Sequence, residues 1–455
     1  MSTLVTKQFA AAMVLSALAL APHVAVVQAA PALVTREQAA RHGLERAWFA
    51  QVPVDPSRSR VSQWYLYRDH LYAVTNSGIV AALNAETGEL LWARQVGKPG
   101  YPAFGPGANS EFLGVVSGSK LYVLDRHDGR LMWSRSLGSA PSSGPALSDT
   151  HAFVALVTGR IEGYNLADPA AQPWYYQSKG RTFLKPTATG RVVSWPTTAG
   201  YLYVSRADEP GVLFRLETSA DIVTSPAYMD PYLYIASQDG YLYCVHQLTG
   251  VEQWRYSTGY SIDSSPAIVG GQAYVASVQP AIHALDARTG QLQWTVPGVS
   301  HFAAQGKERV YASDDFGNLI ILDAKTGTPV SRMQIADGHS TLVNDQTDRI
   351  FLVSDSGLVQ CLREIGATQP TFYRTPPAPG AAPPTAPVGA TPPAPETEAA
   401  PEDASRDEPP APAPENPFAF GADAMEDQTP AEAADEPPAD EPPAGDVNPF
   451  EDFSQ

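Results

Sequence analysis

The segment ALNAETGELLW at 82–92 returns as ALDARTGQLQW at 284–294, and a looser copy, VLDRHDGRLMW, fills 123–133. Each copy is an apolar strand, an Asp or Asn, a Thr-Gly or Asp-Gly pair, a few mixed residues and then Trp. The alternation on both sides of the turn reads as strand and not as helix. Gly supplies the positive φ of a tight hairpin, and the Asp or Asn accepts hydrogen bonds from the turn amides. The Trp adds apolar surface on the order of 150–250 Å², more than one hairpin can cover. Such a chain must pack each copy against the next.

The spacing then fixes the architecture. Trp or a substitute falls at Trp48, Trp92, Trp133, Trp174, Phe214, Trp254, Trp294 and, weakly, Ser331, at intervals of 44, 41, 41, 40, 40, 40 and 37 residues. The turn glycines Gly88, Gly129, Gly250, Gly290 and Gly327 keep step with them. So do Pro145, Pro186, Pro226 and Pro266, each opening an innermost strand. All-β units of about 40 residues predict a β-propeller with four strands to a blade. The Trp48 strand (44–52) has no inner strands before it, and the last strands, near 349–364, have no Trp strand after them. These halves complete each other. The expectation is an all-β, eight-bladed propeller over 44–366, with the N-terminal strand closing the last blade so that no sheet edge stays open. Blades three and four are degenerate: Asp168-Pro169 replaces Thr-Gly, and Phe214 replaces Trp.

These residues resemble the pyrroloquinoline-quinone-repeat family of β-propellers, whose repeat has the form ALDxxTGxxxW. The resemblance spans about 320 residues. It implies the fold but not an activity, because the family holds quinone-dependent alcohol dehydrogenases and cofactor-free scaffolds alike. Size and blade number are nearest to the BamB-type propellers of outer-membrane assembly. Those carry a lipidated Cys after the leader, and here no Cys stands at that place.

The two ends differ from the body. Residues 1–29 read as a signal peptide: Lys7, an apolar run over 9–21, and a small-residue cleavage site at Val27-Gln28-Ala29. A linker is expected over 30–43. The implied location is periplasmic or extracellular, soluble, with no membrane span. Residues 367–455 are Pro-, Ala- and acid-rich, the composition of a disordered tail. Its 18 Asp and Glu against Arg374 and Arg406 give −16 of the chain's −18, leaving only −2 for the rest. Nothing here suits nucleic acid. Two Asn-Pro-Phe tripeptides, ending in Phe418 and Phe450, stand in this tail. They are either drift of a low-complexity segment or a duplicated docking motif with Phe as anchor.

Chemistry is sparse. The two cysteines, Cys244 and Cys361, occupy equivalent slots of blades five and eight, too far apart in a ring for a disulfide. Small core residues is the expected reading. His246 stands at the turn Asp position, and the nine histidines show no zinc spacing. Ser313–Asn318 (SDDFGN) hints at calcium but falls where every blade has a turn. No phosphate loop or nucleophile elbow appears. No catalytic, cofactor or metal site is therefore expected. What remains is surface. The loops joining one blade to the next carry Tyr101, Phe104, Phe183, Tyr260, His301 and Phe302. They either rim a protein-binding face or pack beneath their own loops. The expected function is a non-catalytic interaction scaffold of the cell envelope, monomeric, binding envelope or extracellular proteins. The alternative is a small-ligand, quinone or metal site in the central channel.

Overall fold

The computed structural model describes residues 33–55 and 57–373. They form eight four-stranded antiparallel sheets. Seven are continuous in sequence, blades one to seven, at 61–95, 103–136, 146–177, 187–217, 227–257, 267–297 and 301–334. Blade eight takes three strands from 339–364 and its outermost from Leu44–Gln51. That strand pairs antiparallel with Leu358–Glu364, from Leu44 opposite Glu364 to Gln51 opposite Leu358. The expected eight blades and the expected closure are both present.

The repeat explains itself in the contact between blades. The indole N–H of Trp92 donates to Arg126 O at 3.1 Å, across to the hairpin of the next blade. Trp254 reaches Ala287 O (3.2 Å), Trp294 reaches Ala324 O (3.0 Å), and Trp48 reaches Ala85 O (3.2 Å) across the ring closure. Each ring lies flat on the turn glycine of that neighbour. A methyl group added to Gly290 would come within 2.5 Å of Trp254, and one on Gly129 within 2.6 Å of Trp92. Gly88, Gly250 and Gly327 stand likewise against Trp48, Phe214 and Trp294. The glycine is thus fixed twice, by its positive φ and by the indole above it.

A third member of the motif lies on the second strand of the same blade. Buried Tyr72, Tyr234 and Tyr274 meet Trp92, Trp254 and Trp294 at 5.9–6.1 Å between ring centres, and Phe153 and Phe351 meet Trp174 and Trp48 at 5.6 and 6.0 Å. The slot facing each Trp across the strand pair holds a small or apolar residue, including Ala82, Cys244 and Cys361. Both cysteines are buried and free. Burial pushes the Cys244 thiol up to about 12.

The degenerate blades show what the motif supplies. The indole nitrogens of Trp133 and Trp174 are buried without a hydrogen-bond partner. Their next-blade turns carry Asp168-Pro169 and Asp208-Glu209-Pro210 instead of Thr-Gly. Arg135 takes over at the first of these, donating to Pro169 O. Blade seven has Ser331 in the Trp position, and the space is filled from the N-terminus. Residues 36–41, expected as linker, form a short helix capped by the Thr35 side chain. Val34, Ala39 and Leu44 join Tyr311, Ile321 and Met333 in one core cluster, while His42 Nδ1 lies 3.1 Å from Ser331 Oγ.

Closure has a lock of its own. Arg349, 1% exposed, bonds Glu86 of blade one at 3.0 Å and Asp348 at 2.9 Å. Arg363 pairs with Glu45 across the closing strands at 2.7 Å. A buried guanidinium with two carboxylates is satisfied only while the ring is shut, and losing one partner would strand a charge.

Trp254→Ala should cost about 3–5 kcal/mol. Trp254→Phe should cost about 1 kcal/mol more than Trp133→Phe, because only the first breaks a hydrogen bond; equal melting shifts for the two Phe variants would dissociate the repeat from that bond. Deleting 30–52 should open two sheet edges and yield oligomers or protease-sensitive protein by size-exclusion chromatography and limited digestion. A monomeric, resistant product would contradict the closure scheme.

Candidate functional site

The two faces of the ring are built from different turns. On one, each loop leaving an outer strand is clamped to the turn between the two middle strands of the same blade. The donors are Val96, Leu137, Ser178, Thr218, Thr258, Gly298, Ile335 and Val52, and the acceptor carbonyls Gly78, Ser119, Gly159, Gly200, Gly240, Pro280, Gly317 and Gly357, one pair per blade. The closing strand supplies its pair through Val52 like any other. On the opposite face lie the Asp-Thr-Gly turns, whose side chains are spent on their own backbone. Asn84, Asp125, Asn165, Asp286 and Asp323 each accept from two turn amides. His246 accepts from Leu248 N at 3.3 Å, so it acts as a turn residue.

The clamped face carries most of the exposed aromatic side chains of the described residues. Tyr101, Phe183 and Tyr260 are exposed there, as expected, together with Val157, Val223, Val278 and Phe316. They stand on the middle turns of blades three, six and seven and on four of the loops between blades. Phe316 is 86% exposed at the tip of a turn in blade seven. The sequence marked that turn only as a faint calcium loop. Asp314 at its base is bonded by the amides of Phe316 and Asn318 and by the Asn318 side chain. Burial opposes it, but these bonds and the charge of Arg332 keep the carboxyl below its usual range. Among the described residues no group of three His, Cys, Asp or Glu could hold a metal ion.

The expected rim residues do not all serve alike. His301 is exposed at the start of an inner strand, whereas Phe302 is buried and stacks on Tyr274 at 4.8 Å. Phe104 is half-buried on the inner strand Ala103–Ala108. Only Phe104 and Phe183 are brought together, in the wall of a cavity of about 510 Å³ at the axis of the ring. Phe418 and Phe450 lie outside the described residues.

That cavity draws on the inner strands of blades one to four. Trp64 and Tyr65 come from blade one, Phe104 from blade two, Ser142 from the loop into blade three, and Phe183 and Lys185 from the loop into blade four. Its strands are pinned by side chains: Ser143 Oγ donates to Leu184 O (3.0 Å) and Ser225 Oγ to Lys185 O (3.3 Å). Lys185 Nζ donates to Pro106 O at 3.0 Å and lies 3.9 Å from the centre of the Tyr65 ring. Lys185 is half-buried and lines the cavity. Burial lowers its pKa to about 8.

Comparison with known proteins agrees with this architecture. The chain matches the PQQ-repeat family model described as outer membrane protein assembly factor BamB, over residues 76–213, 204–362 and 281–389. It belongs to that family. No curated protein matches the chain. Among solved structures, BamB from Moraxella catarrhalis is 20% identical, covering 70% of this chain and 97% of its own, with a TM-score of 0.57. The computationally designed Ika8 protein is 13% identical, covering 69% and 98%, with a TM-score of 0.55. At such identities the likeness concerns the fold.

Because Phe316 and Tyr260 are exposed and touch no core, Phe316→Ser and Tyr260→Ser should each change stability by less than about 0.5 kcal/mol. Denaturant titration checks this; a loss of several kcal/mol from either would make it a packing residue.

Proposed function

We propose that this member of the BamB family is a non-catalytic protein-interaction scaffold of the cell envelope, which engages its partner through the clamped face. The observation that carries the reading is the set of exposed aromatic side chains on that face, Tyr101, Phe183, Tyr260 and Phe316. Seven exposed apolar side chains stand on backbone held rigid by one clamp in every blade. Fixed aromatic and aliphatic groups with water around them are the raw material of an interface core, and a preordered backbone lowers the entropy lost on binding. The opposite face also exposes Leu248, Val251, Val343, Ile365 and Phe372, but only the last is aromatic, and its turn carboxylates already accept from their own turn amides. The leader-like N-terminus supports export, and among the described residues no helix is long and apolar enough to cross a membrane. A monomer with a protein partner outside the cytoplasm fits these features, as does the description its family carries. The tail segments ending in Phe418 and Phe450 would add a second, separate attachment to an envelope protein.

Photo-crosslinking at single positions tests the proposal. A crosslinker at Phe316 or Tyr260 should trap a defined envelope protein, whereas one at Leu248, exposed on the opposite face, should not. Equal trapping from both faces, or none from the first, would remove the assignment. Replacing both Phe418 and Phe450 by Ala should lower recovery of that partner from envelope extracts more than either change alone. Identical recovery would leave the tail without a docking role.

A further inference from the structure

We infer that the axial cavity of blades one to four is a binding site for a carboxylate carried next to an aromatic ring, as in a peptide with an aromatic residue beside an acidic group or a chain terminus. The polar end of the site is Lys185. An ammonium has three donors. One goes to Pro106 O and the Tyr65 ring faces the charge from another side, which leaves a donor for a ligand in the cavity. No carboxylate pairs with Lys185 among the described residues. Ser142 Oγ, in the same wall, is buried and lacks a hydrogen-bond partner, so a second donor awaits an acceptor. A hydroxyl without a partner and a cation without a counter-ion in one cavity are both costly unless something completes them. The apolar end is supplied by Trp64, Phe104 and Phe183, whose rings suit another ring in offset or edge contact.

The lowered pKa fits this arrangement and provides a handle. The carboxylate binds the ammonium form, which predominates below pH 8 and falls away above it. Bound anion would in turn raise the pKa, so binding near pH 8 takes up protons. The inference stands apart from the scaffold reading, because the cavity lies at the axis and the crosslinking positions do not.

The probes are N-acetyl-phenylalanine, with a terminal carboxylate, and N-acetyl-glutamyl-phenylalaninamide, with only a side-chain carboxylate. N-acetyl-phenylalaninamide, which has none, is the control. Calorimetric titration of the full chain at pH 7 should show binding of at least one acid, with the amide at least tenfold weaker. Whichever acid binds more tightly identifies the source of the carboxylate. Affinity should fall about tenfold per pH unit above pH 8. Lys185→Met should weaken the acid at least tenfold and flatten that pH dependence, while Ser142→Ala should weaken it less and keep the dependence. Unchanged melting temperatures would show both variants folded. Equal binding of acid and amide, an affinity indifferent to Lys185→Met in a folded variant, or no binding of either acid at millimolar concentration would overturn the inference.

Discussion

The contact on which this molecule depends is an indole lying on a glycine of the next blade. It joins three demands in one place: the turn needs a positive φ, the Trp needs a flat apolar bed, and its N–H needs a carbonyl. A residue with a Cβ at Gly290 would meet both the Trp254 ring and the strain of a positive φ. The two halves of the contact therefore constrain each other across about 33–40 residues of chain. A blade cannot satisfy its own Trp, so the minimum stable object is an array, and only a closed array has no unsatisfied member.

Closure by the N-terminal strand carries this logic to its end. Trp48, at the start of the folded chain, lies on Gly88 of blade one, while its strand completes blade eight. The first strand thus serves two blades that are last and first in sequence. Blade seven, which lacks a Trp, is patched by the helix that precedes this strand, so one N-terminal segment repairs one defect and shuts the ring. Arg349 adds electrostatic weight at the same seam. Its burial is tolerable because Glu86 and Asp348 approach it from two blades.

This explains which parts of the structure the sequence revealed. Trp and Gly stand about four residues apart within one copy and recur at a fixed interval, so the local pattern exposed the blade, the count and the closure. The turn role of His246 and the core role of Cys244 followed from their slots in the same frame. The aromatic of the second strand, Tyr72 or Tyr274, was less visible because any strand in the core shows such residues. The helix at 36–41 looked like linker, since its reason for existing is a hole in blade seven some 290 residues away. Phe316 was hidden inside a turn read for its oxygen atoms. The axial cavity was beyond local reading altogether: Tyr65, Ser142 and Lys185 come from separate repeats and meet only when the ring curves them together.

An eightfold frame makes the same surface eight times, and recognition of one partner in one orientation requires that equivalence to be broken. The breaks fall in particular places. Blades three and four lose Thr-Gly from their turns, and the preceding indoles lose their hydrogen bonds. The inner strands of blades one to four hold the cavity with Lys185 and Ser142. Blade seven carries the exposed Phe316, and the helix at its flank has no counterpart among the described residues. A lysine whose charged form is disfavoured by burial weakens a fold whose other blades manage without one. Local departures that lower stability are expected at sites that act on something else. By that argument the irregular copies are where this ring acquires a front, a side and an address, while the regular ones keep it round.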